Sequence, residues 1–296
     1  MTMTWVCSVL GGVLIVVALR DIYATLWHPR GVGTVCRWVF DVMWRGAARI
    51  RRRGRALGLA GPVGMVATVV LWSAMIVVGW ALIYFPHMPA GFYFASSLQP
   101  SLSSDPIAAL YLSLVTVATL GYGDITPAYP ALRLVMPLQA LMGFVLFTAA
   151  ISWVLQIYPA LIRRRSAARS VYLLASTDSS EVAATGESSV ACALLDGVTD
   201  ALITVDLDLE QYGETYFFRE SESGQSLAAV LSYVPHLAKA GQGSTAMEVR
   251  RAAVRLDEQV RWLTGHLDER YLHNGGSCEQ ICAAFAADHR HQNWRP

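Results

Sequence analysis

The 296-residue chain is 54% apolar and only 15% charged, with a mean hydropathy of +0.39, which excludes an ordinary soluble domain. The formal charge of +1 hides an asymmetry: residues 1–165 hold 13 Lys+Arg against 4 Asp+Glu, and residues 166–296 hold 10 against 18. The first part reads as membrane and the second as a soluble acidic domain; nucleic acid is not an expected partner.

Five cysteines (7, 36, 192, 278, 282) lie far apart and suggest no disulfide framework. Every basic residue except Lys239 is arginine, which points to a GC-rich bacterial source.

A membrane-spanning helix needs about 20 mostly apolar residues. The first such run, Trp5 to Trp27, is interrupted by Arg20 and Asp21 near its end, where local pairing or snorkelling is expected. It lacks a basic leading region, so residues 1–28 read as an uncleaved N-terminal transmembrane helix rather than a signal peptide. Residues 29–62 follow as a basic cytoplasmic or interfacial segment. The stretch 28–62 holds eight arginines (30, 37, 45, 49, 51, 52, 53, 55) against Asp41 alone. Residues 34–53 fit an amphipathic helix, with Val35, Trp38, Val39, Val42 and Met43 along one side. Such a helix would lie on the inner leaflet and meet anionic lipid at Arg51, Arg52 and Arg53; the alternative is a basic topology marker only.

The second span, 63–85, carries no charge, and the third, 131–158, carries only Arg133. Tryptophan and tyrosine gather at the span ends (Trp5, Tyr23, Trp27, Trp80, Tyr84, Tyr129, Tyr158), as interfacial anchors do. No Lys or Arg occurs in 86–130, whereas Arg163, Arg164, Arg165 and Arg169 follow the third span. The positive-inside rule therefore puts both basic segments in the cytoplasm and the 86–130 connection outside.

Within that connection, Ser104-Asp105-Pro106 reads as a helix start, with a capping residue and then proline in the first turn, for a helix over 106–118. Thr119-Leu120-Gly121-Tyr122-Gly123 comes next, followed by Asp124. Glycines alternating with side-chain residues suit a strand whose successive carbonyls point one way, because glycine reaches the required backbone angles freely. The stretch resembles the TVGYG filter of potassium channels, with leucine in second place.

On these residues the chain resembles a bacterial potassium channel of the two-helix pore-domain (ion channel) family, with an extra N-terminal transmembrane helix and a C-terminal cytoplasmic domain. The resemblance implies a pore domain over 63–160: outer helix 63–85, pore helix 106–118, filter 119–124 and inner helix 131–158. Carbonyls of Thr119, Leu120, Gly121 and Tyr122 would hold dehydrated potassium ions, with the Thr119 hydroxyl at the inner end and Gly123 completing the filter. Tyr122 would brace the filter from behind, and Asp124 would sit at the outer mouth. No cofactor is expected, potassium being only the permeant ion. Four copies are needed to close the carbonyl rings, so a homotetramer in the inner membrane is expected. Tyr111 matches an aromatic position of the pore helix. Val115 stands where some members carry a glutamate that bonds the outer aspartate, so that brace is expected to be missing. Gly143 matches the gating hinge; close helix packing is the alternative. Phe144, Phe147, Thr148 and Ile151 would line the cavity, and Pro159 would end the inner helix at the gate.

Residues 161–190, rich in Ser, Thr, Ala and Gly from 174 on, read as a linker, and 191–296 as an all-α domain of four or five helices. Leu194, Leu195, Val198, Leu202, Val205 and Leu209 follow helical spacing. So do Leu227, Val230, Leu231, Val234 and Leu237, with Pro235 near the end of their helix. Thr245-Ala-Met-Glu248 fits a capping box opening a helix with Val249, Ala253, Leu256, Val260, Leu263 and Leu267, and Ser277-Cys-Glu-Gln280 opens a last one. No phosphate-cradling glycine loop is legible. His273, Cys278, Cys282, His289 and His291 do not have zinc-site spacing, and the two cysteines are expected to share a core face. Opposite charge suggests that the acidic domain docks on the basic 28–62 segment.

The expected fold class is thus an all-α membrane protein: a tetrameric potassium-channel pore plus one extra N-terminal helix and a helical cytoplasmic domain. The function implied is passive, potassium-selective conduction, not catalysis. The alternatives are a weakly selective cation channel or a membrane-anchored sensor on the same scaffold.

Overall fold

The computed structural model describes residues 2–28, 33–49, 55–95, 106–292 and 294. Arg51, Arg52, Arg53, Ser104 and Asp105 lie outside the described residues. The chain divides into two compact units, Met1–Val39 with Gly64–Leu155, and Phe40–Val63 with Gln156–Pro296.

The first unit is built on long apolar helices. These are α1 (Thr2–Leu26), the start of α2 (Thr34–Arg49), most of α3 (Arg55–Tyr84), α4 (Pro106–Val117) and the first part of α5 (Pro130–Ser176). Three of them are long and apolar enough to cross a membrane: Thr4–Leu26, Leu57–His87 and Pro130–Ser176. The protein is an all-α membrane protein, and its extra N-terminal helix is one of the three. A two-stranded antiparallel ribbon, β1 (Phe92–Phe94) with β2 (Ile125–Pro127), is the small exception, Tyr93 pairing with Thr126.

Glycine brings α1 and α3 together. A Cβ on Gly11 would lie 2.3 Å from the Gly79 carbonyl oxygen, and one on Gly79 2.9 Å from that of Gly11. Without a hydrophobic drive between helices in lipid, such close backbone approach supplies the packing.

Asp21, expected to snorkel or pair locally, is instead buried and caps the next helix. Its Oδ1 accepts from the Val35 amide (2.8 Å) and its Oδ2 from the Cys36 amide (3.1 Å) and the Trp72 indole (2.8 Å). Those amides belong to the first turn of α2, where no intrahelical acceptor exists. Gly33 leaves room for the carboxylate, since a Cβ there would lie 2.5 Å from it.

The second unit contains the rest of α2 and α5, the start of α3, and α6 (Ser180–Thr185), α7 (Ser188–Gln211), α8 (Leu227–Val230), α9 (Tyr233–Gln242), α10 (Met247–Leu267) and α11 (Cys278–Asp288). The leucines and valines read as helical in α10 (Val249, Ala253, Leu256, Val260, Leu263, Leu267) are all buried, as are Leu195, Val198, Leu202, Val205 and Leu209 of α7. The Ser277–Gln280 capping box is formed, each partner bonding the other's backbone amide.

Several expectations are corrected here. The inner helix does not stop at Pro159: α5 runs on to Ser176. Proline withholds one amide and so deprives one carbonyl, while Ile157, Ala160, Leu161, Ala167, Ala168 and Val171 continue a buried helical face. The 161–190 segment is therefore largely helical, with Ala183 of α6 also buried. Pro235 lies in the first turn of α9, where its missing amide has no acceptor to lose. Thr245 does not cap α10, whose N-cap is Ala246 without a side-chain bond.

The contact expected between the basic segment and the acidic domain exists, but rings make it. Phe40 stacks on Phe217 (centroids 5.3 Å apart), and Trp44 meets His289 (5.0 Å) and Phe217 (5.8 Å). The Trp44 indole donates to Asp288 Oδ2 at 3.1 Å, and Arg290 donates to the Ala48 carbonyl. Arg37 and Arg45 stay exposed. The buried face of α2 is Cys36, Val39, Phe40, Trp44 and Ala47, while Trp38 and Val42, expected beside Val39, are exposed.

His289 is sealed in this aromatic cluster. Its Nε2 bonds the Tyr216 carbonyl (2.8 Å), and burial lowers its pKa from 6.5 to about 3. Below pH about 6.5 the unfolded chain takes up a proton that the folded unit refuses until about pH 3, so stability rises with pH across that window. Unfolding measured from pH 6.5 to 4 should lose up to about 1.4 kcal/mol per pH unit through this group, and His289→Gln should flatten that slope.

Candidate functional site

The site is the segment from α4 through Asp124 and the helix beside it. Proline at the first position of α4 suits a helix start, and a buried polar network fixes the helix against its neighbours. The Ser113 hydroxyl donates to the Val77 carbonyl at 2.7 Å. Gln139 of α5 donates to Ser113 O (3.0 Å) and Oγ (2.8 Å), and its Oε1 accepts from Tyr84 (2.6 Å). Gln139 and Ser113 are wholly buried. A buried amide left without partners would be costly, so this network ties α3, α4 and α5 into one geometry. The network is not legible in the sequence, where Tyr84 reads as an interfacial anchor. The available signal was an amide inside an apolar span, where a polar group demands a partner.

After α4 the backbone changes character. Thr119, Gly121 and Gly123 have φ of +58°, +52° and +75°, while Leu120 and Tyr122 do not share the positive sign. Left-handed residues at alternate positions turn successive peptide planes to the same side, whereas ordinary extended backbone alternates them. Residues 119–123 are all exposed, Leu120 at 58% and Tyr122 at 68%.

Asp124 is braced despite the valine at 115. The Tyr111 hydroxyl donates to Asp124 Oδ2 at 2.6 Å, and the Ile125 amide donates to Oδ1 at 3.0 Å. The missing glutamate is thus answered by a tyrosine one helical turn earlier, because residues 111 and 115 share a face. The ribbon closes behind this point, the Ala95 amide donating to the Asp124 carbonyl at 2.8 Å.

On α5, Phe144, Phe147, Thr148 and Ile151 follow the i, i+3, i+4, i+7 spacing of one helix face and are all exposed. The Thr148 hydroxyl donates to the Phe144 carbonyl at 3.0 Å. Gly143 is next to this stripe and touches the end of α4: a Cβ there would lie 2.0 Å from the Val117 carbonyl oxygen. Packing alone therefore requires glycine at 143. Gly143→Ala would gain up to about 1 kcal/mol of helix propensity but overpack a tight contact, at about 1–3 kcal/mol. A net loss of thermal stability in detergent is expected, whatever the variant does to gating.

Among the described residues no group of three or more His, Cys, Asp or Glu is arranged to hold a metal ion.

The segment thus sets a short helix and a loop of alternating handedness between two membrane-length helices. Residues 65–158, about a third of the chain, match the family model described as "Ion channel". An "Uncharacterized membrane protein YdjJ" of Bacillus subtilis (strain 168) is 29% identical over 169 residues, covering 56% of this chain and 48% of its own length. "Two pore potassium channel c" of Oryza sativa subsp. japonica is 44% identical over 69 residues, 22% of this chain and 14% of the relative. The chain thus spans about half the length of the first relative and less of the second. No solved structure matches.

Proposed function

We propose that the protein is a potassium-selective channel, a homotetramer in the cell's inner membrane, with its second unit in the cytoplasm. It conducts passively and catalyses nothing. The carbonyls of Thr119, Leu120, Gly121 and Tyr122, repeated around an axis, replace the water of a dehydrated potassium ion. The observation that carries this reading is the alternation of left-handed backbone at 119, 121 and 123 within a Gly-Tyr-Gly-Asp sequence. The potassium channel among the relatives supports it.

The tetramer is supported by what one chain leaves open. Leu120 and Tyr122 need cover in a membrane protein, and a groove of about 620 Å³ beside them, lined by Thr116, Thr119, Gly121, Met136 and Pro137, offers a seat for a neighbouring copy. Asp124, half-buried and held by its brace, adds negative charge at the outer mouth and draws cations in. Phe144, Phe147, Thr148 and Ile151 then face the water-filled cavity, and Gly143 joins hinge and packing in one residue. Anionic lipid meets the basic segment at Arg51, Arg52 and Arg53.

Purified protein in liposomes tests the reading. Potassium flux is expected, with reversal potentials in mixed potassium and sodium that follow potassium. Absence of flux, or equal passage of both ions, overturns it.

A further inference from the structure

Cys278 is the first residue of α11 and Cys282 follows one helical turn later, so the two thiols lie on the same side of the helix. Both are free; Cys282 is wholly buried and Cys278 is partly open. The two thiols neighbour each other, and Thr264 Oγ1, whose proton goes to the Val260 carbonyl at 2.7 Å, lies 3.6 Å from the Cys278 sulfur. A sulfur in the first turn of a helix faces the positive end of the helix dipole, which favours its thiolate. The neighbouring Cys282 thiol holds the Cys278 pKa down, whereas the same pairing and burial push the Cys282 thiol up. A low-pKa, accessible thiol beside a buried second thiol is the arrangement of an attacking and a resolving cysteine.

We propose that Cys278 and Cys282 form a peroxide-sensitive dithiol, in which Cys278 attacks and Cys282 resolves. The Cys278 thiolate attacks one oxygen of hydrogen peroxide. An S–O bond forms, the O–O bond breaks, and the departing hydroxide takes up a proton as water. Sulfur is oxidised by the two electrons that the peroxide gains. Cys282 then attacks the Cys278 sulfur, an S–S bond forms, the S–O bond breaks, and hydroxide leaves with the Cys282 proton as a second water. In sum, two thiols and one hydrogen peroxide give one disulfide and two waters.

The helix end makes closure feasible. Cβ atoms one turn apart lie about 5–6 Å from each other, and a disulfide brings them to about 3.5–4.5 Å. Cys278 must therefore move inward. Only the Ser277–Gln280 capping box and the preceding Gly275–Gly276 pair, with φ of +64° and +109°, have to yield. Oxidation thus unties the first turn of α11.

Full-length protein in detergent, treated with stoichiometric hydrogen peroxide, alkylated and digested, supplies the test by mass spectrometry. A peptide linking Cys278 to Cys282 within one chain, two hydrogens lighter, is expected. Before oxidation, iodoacetamide at pH 7.4 should modify Cys278, at the helix N-terminus, several-fold faster than Cys192. Equal rates at the two cysteines, or peroxide carrying Cys278 to a sulfinic acid without a 278–282 link, would overturn the proposal. Both readouts use the unaltered chain, so neither depends on a variant folding, and neither requires ion flux.

Discussion

Replacing Gly121 by alanine is expected to abolish potassium flux in liposomes while the subunits still assemble. The substitution meets no steric obstacle within the chain: nothing lies within 4 Å of a Cβ built at 121 or at 123. What it meets is the backbone. At φ of +52° an L-residue crowds its own carbonyl, a cost of about 1–2 kcal/mol. A stability loss of that size would not dissolve a channel, but residue 121 needs only to leave the left-handed region for its neighbouring peptide planes to turn. In the proposed tetramer one carbonyl from each of the four subunits then leaves its ring, and a dehydrated ion loses ligands it cannot do without. Gly123→Ala should act alike, at φ of +75°. The measurement is valinomycin-calibrated potassium flux beside a size-exclusion profile. An assembled Gly121→Ala protein with undiminished flux would show that these carbonyls do not carry the ion.

Arg164→Met should destabilise the second unit by about 3 kcal/mol, because it leaves the buried Glu220 with only the longer 3.4 Å bond from Arg165. The Arg164 side chain is 5% exposed and that of Glu220 6%, and they meet at 2.7 Å. The same guanidinium donates to the carbonyls of Thr215 and Phe218, so one side chain satisfies a whole irregular stretch after α7. Its neighbours differ by exposure. Arg163 holds Asp208 with two bonds (2.8 and 2.6 Å) but is 44% exposed, and solvent screening limits Arg163→Ala to below about 1 kcal/mol. Denaturant unfolding of the full chain checks the ranking. The double variant Arg164→Met with Glu220→Leu should regain much of the loss, since removing both charges removes the desolvation cost as well. An Arg164 effect no larger than that of Arg163 would mean that the buried pair is not what holds this segment.

Much of this molecule is legible in its sequence. The spans were readable because lipid demands long apolar runs, and the α10 core because helical spacing puts Val249, Leu256, Val260 and Leu263 on one face. Asp124 shows where such reading stops. Its neighbour at 115 announced a missing partner, yet Tyr111 supplies one from the same helix. The α2 helix shows a second limit. Its apolar residues suggested a membrane face, but a helix with two apolar sides does not say which side protein takes. Phe40 and Trp44 went to the aromatic cluster of the second unit, and Trp38 and Val42 stayed exposed.

By itself, the sequence determined the three spans, the glycine-bearing loop and the helical character of the second unit. Each is a local matter, settled by apolar run length, by backbone stereochemistry or by a period of 3.6 residues. Tertiary structure alone decided who satisfies whom: Asp21 with the start of α2 and Trp72, Gln139 with Ser113 and Tyr84, Arg164 with Glu220. A buried polar group must find a partner, and that necessity is visible in one dimension. The partner's identity is not, because it depends on which helices pack side by side, and residues far apart in the chain meet only then.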